Sequence, residues 1–329
     1  MKQIDNPIDA IRADIEAKEL TAGLLIIKSA NDAIAAAKLL PDPVKLYNDL
    51  IIEGEITCLF GDAGCGKTIL AVQIGEEIAQ MQNVLYADFE LSDKQFQRRY
   101  TGENGELHKF PQTFYRAVMN ANILDPDNFE DVIFANIDAA AEKVKAKVII
   151  IDNLTYLCNA SEKGETASRF MKKILAKKAQ GWTVLVVAHT PKRSMFYPMT
   201  QNDLAGSKRL MNFFDSAFCI GQSAKDSHIR YIKQVKVRSA DMKYDADNVM
   251  LFQIGVEDNA LRIEKLGFGR EKEHLKTLSD DELQNLEQNI MNLHSQGLSY
   301  REIQQELGVS KSKVGRILNN KTDTDADDE

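Results

Sequence analysis

The chain has 329 residues, 44% hydrophobic and 27% charged, which suits one large globular domain or a domain with smaller attachments. No uncharged apolar run approaches the roughly 18 residues of a spanning helix, and the N-terminal stretch carries acids rather than an apolar signal core, so a cytoplasmic protein with no membrane partner is expected. The formal charge of −8 is unevenly placed: five acids in the last eight residues leave −3 for the rest, so local charge must decide whether DNA is a partner.

Residues 1–43 read as two helices. Asn6 and Pro7 begin the first, with Ile8, Ile11 and Ile15 along one stripe. Ser29 and Asp32 form a capping-box pattern for an alanine-rich second helix, stopped by "PDP" at 41–43. Such narrow apolar stripes either pack on their own domain or form an arm that docks on a neighbouring subunit. From 44 to 270, β-rich runs alternate with helical stretches. Core strands are expected at 55–61, 83–90, 147–152, 182–189 and 216–221, with helices near 67–81, 128–145 and 163–180. That alternation predicts an α/β domain with a largely parallel sheet covered on both faces. Strands near 229–237, 249–255 and 260–265 would extend it as an antiparallel edge, and "GFGREKEH" (267–274) reads as a linker. Residues 271–321 then hold the linker and a small all-α module, and 322–329 form an acidic tail expected to be disordered. The four cysteines, Cys58, Cys65, Cys158 and Cys219, lack any CxxC or histidine spacing, so reduced thiols are expected rather than a zinc site.

"GDAGCGKT" (61–68) fits G-x-x-x-x-G-K-[ST] and lies between a predicted strand and helix. Gly61, Gly64 and Gly66 let the backbone bend, while Asp62, Ala63 and Cys65 complete a loop whose amides point at phosphate oxygens. Lys67 would reach the β- and γ-phosphates of ATP, and the Thr68 hydroxyl would bind Mg²⁺. Asp152, closing the strand "VIIID", would hold the metal through water. Asn153 follows where many ATPases place a catalytic glutamate, and an amide cannot abstract a proton. Strand C-termini in a parallel sheet share one edge, so Glu90, closing "NVLYADFE", can supply the base; Asp88 is the alternative.

"GDAGCGKT", the glutamate closing the second strand, "VIIIDN" and "VVAHTPK" together resemble the RecA-like P-loop ATPases, and within them the plasmid RepA-type hexameric helicases and their mobile-element relatives. The resemblance covers about residues 44–255. It implies that His189 senses the γ-phosphate. It also implies that the basic, aromatic segment 191–209 is a pore loop touching single-stranded DNA through Lys192, Arg193 and Lys208; a mobile solvated loop is the alternative. "KVR" at 236–238 resembles the Lys236–Arg238 finger that completes a neighbour's site in such rings, against the alternative of a solvated basic edge strand.

A second signal lies at 279–320. Helices near 280–296 and 299–307, a tight turn at Gly308, and a third helix carrying Lys311, Lys313 and Arg316 with no acid resemble a resolvase-type or sigma-factor-type helix-turn-helix. The combined expectation is a ring-forming, Mg²⁺-dependent ATPase acting on DNA, a homo-oligomer whose six-fold form the resemblance implies, with a nucleotide-switched DNA-binding regulator as the alternative.

Overall fold

Apolar runs become strands and amphipathic runs become helices in a computed structural model that describes residues 20–23, 25–120, 129–154, 165–191, 193–204, 208–277, 280–309 and 311–322. The chain divides into two units, Met1–Val44 and Lys45–Glu329.

In the first unit, β1 (Leu20–Ala22) and β2 (Leu25–Ile27) pair antiparallel, and α1 spans Ala30–Lys38. The Ser29 hydroxyl accepts from the Asp32 amide at 3.0 Å and donates to its carboxylate at 2.7 Å, which is the cap that the sequence predicted. The hairpin at 20–27 is a correction, since helix alone was expected over 1–43. Gly23, at φ +60°, supplies the turn, and branched residues such as Thr21, Ile26 and Ile27 favour extended backbone. The helix expected from Asn6 lies outside the described residues.

The second unit opens with a small ribbon, β3 (Lys45–Tyr47) and β4 (Ile51–Ile52). There follow β5 (Ile56–Gly61), α2 (Lys67–Ala79), β6 (Val84–Asp88), α3 (Asp93–Arg99), β7 (Phe114–Val118), α4 (Phe129–Lys143), β8 (Val148–Asp152), α5 (Glu165–Lys178), β9 (Thr183–His189) and a short α6 (Lys208–Met211). The chain then adds β10 (Ser216–Gln222), β11 (Arg230–Lys236), β12 (Val249–Glu257) and β13 (Ala260–Gly269). One nine-stranded sheet results, in the order β13-β12-β11-β10-β5-β9-β8-β6-β7. The six strands from β10 to β7 run parallel, and β11, β12 and β13 continue antiparallel, as the sequence predicted. This is the RecA-like α/β core.

Side chains alternate across the pleat, so each central strand feeds two cores. Ile149, Ile151, Val184 and Val186 pack with Ile133 and Ile137 of α4 and with Phe170 and Ile174 of α5. Ile150, Leu185 and Val187 pack on the other side with Leu70, Ile74 and Ile78 of α2. Full burial of both faces explains why these strands read as unbroken apolar runs. Strand β7 was not expected: "FYRAV" is short, carries an arginine at its centre, and is only partly buried at the sheet edge.

The stretch read as a linker is not one. Gly267–Gly269 ends β13, and Glu271, 1% exposed, anchors the following turn by accepting from Lys233 Nζ at 2.5 Å and the Met199 amide at 2.8 Å. A charge so deeply placed persists because its lone pairs are met. Beyond it, α7 (Asp280–Ser295), α8 (Tyr300–Leu307) and α9 (Lys311–Thr322) enclose Ile290, Ile303, Val309, Val314 and Ile317. Ser299 and Glu302 cap α8 reciprocally, and Gly308 ends it in the left-handed region. Among the described residues, no helix is long and apolar enough to cross a membrane.

Candidate active site

Four strand tips line up at the C-terminal edge of the sheet. In register, Gly61 of β5 stands opposite His189 of β9, Val187 opposite Asp152 of β8, and Asp152 opposite Asp88 of β6. Residues distant in sequence thus meet along one row, where a parallel sheet presents its ligand edge.

The phosphate loop leaves β5 at Gly61 and enters α2 at Lys67, with Ala63, Gly64 and Cys65 in the turn. Gly66 has φ +101°, and a Cβ there would also lie 2.8 Å from Ile254 Cδ1. The positive φ is what bars a side chain there, since the Ile254 methyl could swing aside. Lys67 is buried, and its ammonium donates to Gly61 O at 2.9 Å and Asp62 O at 2.8 Å. These donors are the ones that β- and γ-phosphate oxygens would take over. Asp62 accepts from the Thr190 hydroxyl and pairs with Arg193 Nε at 3.4 Å, which ties the loop to the chain after β9.

Asp152 is fully buried. Tyr86 donates to its Oδ2 at 2.9 Å, whereas Oδ1 is enclosed without a hydrogen-bond partner. Burial pushes the carboxyl up to about 6; the Thr68 and Tyr86 hydroxyls oppose the shift, and the charges of Glu90 and Asp88 add to it. A starved oxygen beside Thr68 at the foot of the phosphate loop fits a hydrated Mg²⁺, whose charge would return this carboxyl to its ionised form.

Glu90 lies exposed just past β6. Its turn is built by Asp88, whose Oδ1 accepts from the Glu90 amide at 3.0 Å and the Leu91 amide at 2.9 Å. Asp88 Oδ2 accepts from Arg116 Nε at 2.9 Å, and Arg116 also donates to Leu91 O at 2.7 Å and Asp93 Oδ1 at 2.6 Å. The alternative base is therefore enclosed and fully occupied, while Glu90 faces the edge. Asn153 Nδ2 donates to Glu90 Oε2 at 2.9 Å and lies 3.0 Å from His189 Nε2. Burial, and then the charge of Lys67, hold the half-buried His189 below the usual histidine range, with Glu90 opposing.

The remaining sequence-derived residues scatter. Arg193 is turned inward; its side chain is 8% exposed, and besides Asp62 it donates to Tyr197 O at 3.0 Å. In this arrangement its guanidinium is directed at protein groups, Asp62 and Tyr197 O. Tyr197 packs against the core enclosed by α7, α8 and α9, and the Lys276 amide donates to Met195 O at 3.0 Å. Lys192 lies outside the described residues, as does the side chain of Lys208 at the start of α6. In α9, Lys311 and Arg316 are exposed and Lys313 is half-buried.

Lys236 and Arg238 both have partners in their own chain. Lys236 donates to Met211 O at 2.8 Å and Phe214 O at 2.6 Å, and Arg238 pairs with the buried Asp215 at 3.0 Å. Only Lys236 is on the strand, since β11 ends there. Asn153, Arg116 and Tyr86 were missed as site residues. Asn153 had a signal, its place after Asp152 at a strand tip; Arg116 and Tyr86 sit mid-strand with none.

A family model described as an AAA domain matches residues 25–195, just over half of the chain. Among solved structures, a KaiC-like protein from the hyperthermophilic archaeon Pyrococcus horikoshii OT3 is similar at 17% identity and a TM-score of 0.49, over 68% of this chain and 98% of that one. No curated protein matches.

Proposed function

This chain belongs to the AAA-domain family of P-loop ATPases, and from that premise we propose that it is a ring-forming motor that hydrolyses ATP on DNA, a RepA-type replicative helicase of a plasmid or mobile element. The observation that carries the hydrolytic half is the row of strand tips, with Glu90 held at its open end by Asn153. Lys67 and the loop amides bind the β- and γ-phosphates. Thr68 and Asp152 are the residues that would hold Mg²⁺, which supplies neutralisation of phosphate charge when bound. Glu90 orients a water and takes its proton as the water oxygen attacks the γ-phosphorus. The bond from that phosphorus to the β–γ bridging oxygen breaks, and ADP leaves with the bridging oxygen's electron pair. His189, next to Gly61 in register, contacts the departing γ-phosphoryl group.

The DNA half rests on the helix-turn-helix, where exposed Lys311 and Arg316 lie on the third helix with Lys313 half-buried between them. Assembly into a hexamer rests on Lys236 and Arg238, which would leave their in-chain partners to complete a neighbour's site. One observation favours the second reading, a nucleotide-switched DNA-binding regulator without unwinding. Segment 193–200 is drawn onto Asp62, Glu271 and the helix-turn-helix rather than offered to a strand. Strand displacement from a forked duplex with ATP and Mg²⁺ separates the two. Displacement supports the motor, and DNA-stimulated hydrolysis without displacement supports the regulator. Negative-stain images with a non-hydrolysable nucleotide test the ring.

A further inference from the structure

We infer that Asn153 is a positioning residue that holds the general base and the phosphate sensor in one hydrogen-bonded unit and fixes the tautomer of His189. The inference rests on the reading of Glu90 as base, and it deepens that reading.

A primary amide has two hydrogens on nitrogen and no others to give. Asn153 is 7% exposed, and its nitrogen meets Glu90 Oε2 at 2.9 Å and His189 Nε2 at 3.0 Å. An ionised carboxylate only accepts, so the side of the amide facing Glu90 must be the NH₂ rather than the carbonyl oxygen. The second hydrogen then points at Nε2, which must accept. The imidazole is therefore neutral with its proton on Nδ1, opposite to the form that free neutral histidine favours. A protonated ring would set N–H against N–H. The lowered basicity of His189 agrees with this, although burial and Lys67 are its main causes.

The functional consequence follows from exposure. Glu90 is an exposed side chain on a turn, and a carboxylate there would otherwise sample several rotamers in water. Asn153 is the partner shown for its carboxylate, and it takes one oxygen, leaving Oε1 for a water. His189 ends β9, and Thr190 beside it binds Asp62 of the phosphate loop. Movement of the imidazole as phosphate is bound or lost must stretch the bond to Asn153, so base and sensor cannot reorient independently. The residue after the metal-holding aspartate thus acts on catalysis without touching a proton in flight.

The test has two independent readouts on the full chain. Nitrogen NMR of ¹⁵N-histidine-labelled protein, with the signal identified by His189→Gln, reports which ring nitrogen carries the proton. Wild-type His189 should show an unprotonated Nε2, and Asn153→Ala should return the ring to the Nε2–H form. In kinetics, Asn153→Ala should lower kcat about a hundredfold, the scale of a catalytic group displaced by an ångström, with KM for ATP unchanged. Asn153→Asp keeps size and supplies no N–H, so it should behave alike and exclude loss of packing as the cause. A wild-type His189 protonated on Nε2, a tautomer indifferent to Asn153→Ala, or a raised KM with kcat intact would each overturn the inference. If instead Glu90→Gln retained turnover, the base reading would fail while the tautomer result stood by itself.

Discussion

Arg116→Ala should be among the most damaging single changes near this site, although residue 116 contacts neither nucleotide nor metal in the proposed chemistry. The Asp88 side chain is completely enclosed, and its Arg116 partner is 16% exposed. Removing the guanidinium strands a carboxylate with no solvent to receive it, a loss that typically costs about 3–5 kcal/mol. It also frees Leu91 O and Asp93, so the turn carrying Glu90 loses a strut on each side. The structure further predicts partial rescue by Asp88→Asn. The two backbone amides both bind Oδ1, which asparagine retains, and only the Oδ2 side facing residue 116 changes. In the double variant the stranded charge is gone, so about half of the lost stability, roughly 1.5–2.5 kcal/mol, should return, and the coupling energy should be at least that large. Denaturant unfolding of the wild type, both single variants and the double variant, with equal m-values, measures that coupling. ATP turnover measured alongside should fall for Arg116→Ala in native conditions. A loss below about 1 kcal/mol, or singles that simply add, would show that the pair is not what holds the Glu90 turn.

Three further outcomes are expected. Glu90→Gln should retain ATP binding by equilibrium titration and lose turnover by about 10²–10⁴-fold, the range of general-base catalysis; preserved turnover would remove Glu90 from the chemistry. Arg238→Ala subunits mixed into wild-type protein should depress ATPase beyond their own fraction if the arginine acts in trans, whereas a linear decline would leave it as the in-chain partner of Asp215. Tyr197→Ala should loosen the helix-turn-helix by about 1–2 kcal/mol, part of the value of burying an aromatic ring. Limited proteolysis near 275–280 would read that as faster cleavage, with KM for ATP unaltered.

The sheet was legible because its central strands are buried on both faces, and burial writes itself as apolar runs such as "VIIID" and "TVLVVAH". The phosphate loop was legible because its glycines answer local needs, such as the positive φ of Gly66. Hidden features depend on partners far apart in the chain. β7 exists because β6 offers it an edge, and the arginine in its middle is there to meet Asp88, 28 residues away. Lys236 and Arg238 looked like cations without employment because the carbonyls at Met211 and Phe214 and the buried Asp215 belong to a turn with no sequence mark. Glu271 was hidden for the same reason, since a charged run reads as solvated until Lys233 is seen to cover it.

These in-chain partners bear on how a motor could be regulated. Segment 193–200 is held to Asp62 of the phosphate loop through Arg193, to the Lys276 amide through Met195 O, to the buried Lys233–Glu271 pair through Met199, and to the core of α7, α8 and α9 through Tyr197. A loop that must grip a DNA strand would have to give up the Arg193 and Tyr197 contacts, because each places a DNA-competent group against protein. Nucleotide binding acts directly on the first attachment, since Asp62 sits within the loop that wraps phosphate. If the C-terminal helices bind duplex DNA as proposed, their occupancy would act on the last. The two ligands of the proposed function would then bear on one short segment from opposite ends, and linkage requires that whatever DNA does to ATP affinity, ATP does equally to DNA affinity. Measuring duplex binding with and without a non-hydrolysable nucleotide gives that coupling directly. A value indistinguishable from zero would mean that segment 193–200 is a rigid brace between the ATPase core and its C-terminal module, and not a path between their ligands.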